Sequence, residues 1–69
     1  MNNVRTYRKN LKLSQLDLAK KVQVSRQTIN LIENDKYNPS LDLCIKIALA
    51  LNTDLNTLFW VDIEGEDSE

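Results

Sequence analysis

Two short runs of helical apolar spacing, separated by one turn, constrain this chain more than any other feature. Between Gln15 and Asn34 the sequence reads QLDLAKKVQVSRQTINLIEN. Leu18, Ala19 and Val22 recur at i, i+1 and i+4, an apolar stripe along one face of a helix. Ser14 stands just before that run, where its hydroxyl can accept a hydrogen bond from the first turn. Val24 breaks the period, and Ser25 restarts it as a second N-cap. Ile29 and Ile32, three apart, then face inward. The spacing predicts helices over 15–22 and 26–34. On the second, Arg26, Gln27, Asn30, Leu31 and Asn34 fall at i, i+1, i+4, i+5 and i+8, one outward face. All but Leu31 carry groups that hydrogen-bond base edges or phosphates.

The chain has 69 residues, enough for one domain. At this size only about 60% of the unfolded surface is buried, so stability is marginal without disulfides, metal or oligomerisation. With one Cys and no His, neither an internal disulfide nor a zinc site is available. Oligomerisation is the aid left open. No signal peptide or long apolar run is present, and a soluble cytoplasmic protein without membrane association is expected. No catalytic constellation, cofactor motif or small-molecule site is evident. There is no His and no Gly-rich phosphate loop, and the carboxylate pairs lie near the C-terminus.

A net charge of −1 hides an asymmetry. Residues 1–36 carry eight basic and three acidic side chains, net +5. Residues 37–69 carry one basic and seven acidic side chains, net −6. A polyanion responds to the local field, and the basic half holds the paired helices.

The 15–34 stretch resembles the helix-turn-helix of phage repressors and Cro. Gln15 opens the first helix, Ala19 is the small residue at the helix crossing, Val24 follows the turn, and Ile29 and Ile32 plug the core. Two positions depart from the pattern: Gln23 and Asp35 stand where family members usually have Gly, at points that often need positive φ. The resemblance spans about residues 3–60. It implies an all-α, five-helix repressor-like DNA-binding domain over residues 1–60, its second motif helix in the DNA major groove. In that reading Arg26 contacts guanine or phosphate, Gln27 pairs with adenine, Asn30 makes a secondary or water-mediated base contact, and Leu31 meets a thymine methyl or is half-covered by neighbours. Ser25 and Thr28 can reach phosphates. The resemblance further implies backbone contacts from Asn34, Lys36 and Tyr37, a Gln15 that bonds a phosphate or braces the recognition helix, and an Arg8–Glu33 ion pair.

Along the rest of the chain, Val4, Tyr7 and Leu11 mark an inward stripe on a helix over 4–11, capped by Asn2 or Asn3. The loop over 34–40 is rich in turn formers. Ser40 caps a helix over 41–51 whose apolar residues are Leu41, Cys44, Ile45, Ala48, Leu49 and Leu51, with Ile47 a second apolar flank. Cys44 is read as core packing. Thr53 or Asp54 caps a short last helix ending near Phe59, with Leu55 and Leu58 inward. Residues 58–63 alternate like a strand, and Leu58, Phe59, Trp60, Val61 and Ile63 together are candidates for a dimer interface. Short stand-alone family members resembling the cytolysin repressor dimerise through helix 5 and an added terminal β element, and the resemblance implies the same use here. Residues 64–69 hold four acids and no apolar residue, and are expected to be disordered.

The leading expectation is a homodimeric, sequence-specific regulator of transcription on double-stranded DNA, acting as a repressor at an inverted repeat. Two alternatives stay open: an antitoxin-type regulator that also binds a partner protein, and a protein-interaction module without DNA binding.

Overall fold

A computed structural model describes residues 2–59. Five helices follow in order: α1 Val4–Asn10, α2 Gln15–Val22, α3 Arg26–Glu33, α4 Leu41–Ala50 and α5 Leu55–Phe59, with no strand among the described residues. No described helix is long and apolar enough to cross a membrane.

Each helix starts where a short polar side chain can satisfy orphan backbone N–H groups. Ser14 Oγ accepts from the Asp17 N–H at 2.9 Å, and Asp17 Oδ2 accepts from the Ser14 N–H at 2.9 Å, a reciprocal capping box. Ser25 and Ser40 accept from the Thr28 and Leu43 N–H groups, and Asp54 accepts from that of Thr57. At α1 the cap is Asn2, whose Oδ1 accepts from the Val4 N–H at 3.0 Å; Asn3 makes no side-chain cap. Those hydrogen bonds hold the Asp17 and Asp54 carboxyls below the usual Asp range.

The helix ends share one device. Lys12, Gln23, Asp35 and Asn52 all take φ near +60°, the left-handed region, without any being Gly. After each, the next N–H reaches back to the last turn: Leu13 to Arg8 O, Val24 to Ala19 O, Lys36 to Leu31 O, Thr53 to Ala48 O, at 2.8–3.1 Å. This is the Schellman closure, which satisfies end carbonyls and turns the chain sharply. Gln23 and Asp35 are the two positions where the sequence departs from Gly, and both adopt the positive φ that a Gly would take freely. Asn and Asp tolerate this conformation; for Lys12 and Gln23 it costs on the order of 1–2 kcal/mol each.

These turns fold α2 against both α3 and α4, α4 against α5, and α1 against α3 and α5. The buried centre is Val4, Leu18, Ala19, Val22, Ile29, Ile32, Ile47, Ala48, Leu51 and Leu58. The first residues lie against α5: the Asn3 N–H donates to Leu58 O at 2.8 Å and Asn3 Nδ2 to Thr57 O at 2.9 Å.

Three expectations need correction. Leu58 is not at a free surface: it sits in α5, fully buried in the monomer core, so it cannot line a dimer interface. Phe59 belongs to the same helix and packs half-buried on that core. A strand therefore does not begin at residue 58; Trp60, Val61 and Ile63, with the remainder of the strand and tail expectations, lie outside the described residues. Leu11 is exposed, because α1 closes at Asn10 and the left-handed Lys12 turns the chain away from the inward stripe. On α4 the expected apolar set divides: Ala48 and Leu51 are buried and are joined by Ile47, the expected second flank, whereas Leu41, Ile45 and Leu49 are exposed. A helix apolar on most sides gives no amphipathic signal to say which stripe meets the core.

Candidate nucleic-acid interface

Helix α3 has two faces with opposite chemistry. Its inner face buries Ile29 and Ile32 completely or nearly so. Its outer face exposes Arg26, Gln27 and Asn30, with Leu31 half-buried at the edge. Arg26 and Gln27 make no side-chain hydrogen bond or ion pair to any described residue. They project from the first turn, beside backbone N–H groups that carry the partial positive charge of a helix start. Ser25 Oγ caps the turn and lies 2.9 Å from Thr28 Oγ1, so this hydroxyl pair stands at the same end.

Glu33 holds the other end of α3 in place. Its side chain is completely buried and receives four donors from three other points of the fold. Arg8 Nε donates to Oε2 at 2.6 Å, and Arg8 Nη2 to Oε1 at 3.3 Å. Gln15 Nε2 donates to Oε1 at 3.1 Å, and Arg5 Nε to Oε1 at 3.4 Å. Arg8 is itself 9% exposed at the side chain and spends Nη1 on the Leu13 carbonyl at 2.7 Å. Burial alone would raise the Glu33 carboxyl. The hydrogen bonds from Arg8 and Gln15, the Arg8 charge and the Arg5 contact outweigh it, so Glu33 stays below the usual Glu range. One carboxylate thus ties α3 to α1 and α2.

The sequence-derived residues sort differently once placed. Gln15 Nε2 is directed at Glu33, which makes Gln15 a brace of α3. Asn34 uses both ends of its amide within the chain: Nδ2 donates to Asn30 O at 2.8 Å and Oδ1 accepts from Arg5 Nη2 at 3.0 Å. Lys36 and Tyr37 stand exposed just beyond α3. Cys44 is half-buried, its thiol 3.8 Å from Pro39 O and shifted upward by burial.

Two contributors escaped sequence reasoning. Arg5 joins Glu33 and Asn34. Its placement one helical turn before Arg8 was the available signal, because i and i+3 share a face. Asn2 Nδ2 donates to Ile32 O at 2.7 Å and to Asp35 Oδ1 at 3.0 Å, fastening the end of α3 to the N-terminus. Nothing in the local pattern points to that contact, since it closes a loop of thirty residues.

Comparison with known proteins agrees with this arrangement. The helix-turn-helix family model HTH_3 matches residues 4–58. A protein of Archaeoglobus fulgidus named an uncharacterised HTH-type transcriptional regulator is 46% identical over 61 residues, covering 88% of this chain and 87% of the relative. The immunity repressor protein of Bacillus phage phi105 is 38% identical over 55 residues, 80% of this chain and 38% of that longer protein. Among solved structures, the hypothetical transcription factor NHTF from Neisseria superposes with a TM-score of 0.74 at 25% identity, covering 93% of this chain and 75% of that one. The chain belongs to the helix-turn-helix family of transcriptional regulators.

Proposed function

We propose that this protein is a homodimeric repressor that binds an inverted-repeat operator in double-stranded DNA through the outer face of α3. The observation that carries the reading is the contrast across that helix: Glu33 is locked from behind by four hydrogen bonds, while Arg26 and Gln27 in front have no partner in the described chain. A rigid helix with unpaired donors and acceptors on its free face suits base-edge readout, because the side chains lose little further freedom on docking.

In this reading Arg26 donates to guanine or to a phosphate and Gln27 pairs with adenine. Asn30 and the edge of Leu31 extend the contact. Lys36, Tyr37, Ser25 and Thr28 grip phosphates and set the register. Gln15 and Asn34 act mainly as braces, and the second Nε2 hydrogen of Gln15 is left for a phosphate. Two copies would place their α3 helices about 34 Å apart, in successive major grooves. Repression would follow from covering a promoter, a role that the phi105 relative carries in its name.

Selection of bound duplexes from a random DNA pool at physiological salt, followed by native mass spectrometry, tests this. Enrichment of an inverted repeat carrying two protein chains is expected. Failure to enrich any sequence would remove the DNA-reading function and leave protein interaction as the role of the fold.

A further inference from the structure

Helix α4 carries an apolar stripe that the monomer does not cover. Leu41, Ile45 and Leu49 recur at i, i+4 and i+8 and are 66%, 42% and 74% exposed. They form one line about 12 Å long. Isolated exposed Leu residues are ordinary, but three in line on one short helix of so small a chain make a contiguous patch of the kind that marks an interface. The opposite side of α4 is fully used by the core through Ile47, Ala48 and Leu51.

Charge around the stripe is arranged in opposite senses at its two ends. Asp42 flanks the N-terminal end. Lys46 follows on the same flank, with Asp42 Oδ2 3.4 Å from Lys46 Nζ within the helix, both largely exposed. At the C-terminal end a shallow groove opens between α2 and α4, lined by Lys21, Gln23, Lys46, Leu49 and Ala50. One end of the stripe thus carries Asp42, paired within its own helix to Lys46, and the other opens on a mixed polar and apolar groove with two lysines and Gln23 around Leu49 and Ala50.

We propose that this face is the dimer interface, occupied by a second copy of the chain with the two α4 helices crossing antiparallel about Ile45. The proposal rests on the homodimer reading above and gives it a location. A two-fold axis at Ile45 sets Leu41 of each copy against Leu49 of the other, which carries Leu41 into the groove. It also turns the same flank of both helices toward each other. Asp42 of one copy then lies within about 3 Å, along the axis, of Lys46 of the other, and next to the Lys21 rim of the groove. A parallel pair, with its two-fold axis along the helices, would instead put the two Asp42–Lys46 flanks on opposite sides of the seam, where they cannot pair with each other; the antiparallel pair brings them to the same side. An isologous contact of this kind needs a single self-complementary patch, which is what the stripe provides.

Sedimentation equilibrium of the full chain tests both levels. Wild type should sediment at twice its 8.0 kDa mass. Leu49→Glu should raise the dimer dissociation constant at least tenfold, whereas Leu16→Glu, a matched change at an exposed leucine on α2, should not. Asp42→Lys should weaken the dimer several-fold, and Asp42→Lys with Lys46→Asp should restore it. Circular dichroism checks that each variant is folded. Should Leu49→Glu fail to fold, Ile45→Cys in a Cys44→Ser background gives an independent reading: mild oxidation should yield a disulfide-linked dimer. A wild-type dimer indifferent to Leu49→Glu and not cross-linked at position 45 would overturn the α4 interface while leaving the homodimeric regulator standing. A chain that stays monomeric with and without operator DNA would defeat the homodimer reading itself. Shielding of a position-45 cysteine in a monomer, lost on removing residues 60–69, would assign the stripe to that segment and also overturn the proposal.

Discussion

Helices α3 and α4 are capped alike, by Ser25 and Ser40, and each gives one side to the same core, yet their outer sides differ completely. The outer side of α3 is polar and that of α4 is apolar. Neither follows from the contacts of the monomer: Arg26 and Gln27 make no side-chain hydrogen bond or ion pair to any described residue, and exposed Leu41 and Leu49 leave apolar area in water. Surfaces of this kind are informative because folding alone does not account for them. The polar one fits an edge that presents donors and acceptors, and the apolar one fits another apolar face.

The comparison can be broken most forcefully at the back of α3. Glu33→Ala removes the acceptor for a nearly buried guanidinium, and an uncompensated buried charge typically costs about 3–5 kcal/mol. That is a large share of the stability of a small domain, so urea denaturation should show a much lower midpoint with an unchanged slope. A loss below about 1 kcal/mol would mean that Arg8 finds other partners and that Glu33 does not lock the helix.

On the inner side of α4, Ile47→Ala should cost about 2–5 kcal/mol, as for other fully buried aliphatic truncations. The same truncation at Leu49 should leave monomer stability within about 0.5 kcal/mol. Urea titrations at protein concentrations below dimer formation separate the two. Equal losses would contradict the assignment of inner and outer faces.

On the outer side of α3, Gln27→Ala should relax base choice at one position of each half-site, a loss of roughly 1–3 kcal/mol of discrimination. Lys36→Ala should instead weaken all duplexes about equally and flatten the salt dependence by about one unit in the log–log slope. Binding isotherms against cognate and scrambled duplexes at several salt concentrations distinguish these behaviours. Similar behaviour of the two variants would remove the division between base-reading and phosphate-gripping residues.

A smaller effect comes from acid. Glu33 has a lower carboxyl pKa when folded than its ordinary value of 4.5. Between those two values the unfolded chain binds the proton and the folded chain does not, so stability rises with pH there. The contribution is fully present above about pH 4.5 and is lost as pH falls through the lower folded value. Urea unfolding between pH 3 and 6 should show a steeper acid loss for wild type than for Glu33→Gln; parallel curves would contradict it.

The contrast between the two helices also explains what was legible in the sequence. Helix α3 could be read because its apolar and polar residues segregate, so Ile29 and Ile32 on one side leave Arg26, Gln27 and Asn30 on the other. The serine caps gave the helix starts, because a short hydroxyl side chain before an apolar period has few other uses. Helix α4 could be placed but not oriented, since Asp42 and Lys46 mark only one narrow flank and apolar residues at Leu41, Ile45, Ile47 and Leu49 occupy most of the rest. Leu58 carried two readings for a related reason, inward on the last helix and first residue of an interface strand, because a short apolar run fits a strand edge or a buried helix turn equally well; its place in α5, fully buried, agrees with the first. The contacts of Arg5 and Asn2 depend on groups about thirty residues away, which local spacing does not encode.

The most direct test of the two-face account is a map of backbone amide shifts for the isotopically labelled dimer as the selected operator duplex is added. The account predicts changes concentrated at Ser25–Leu31 and Asn34–Tyr37, with Leu41–Leu49 unmoved because that face is already covered by the second copy. Changes centred on Leu41–Leu49, with the α3 face silent, would contradict it.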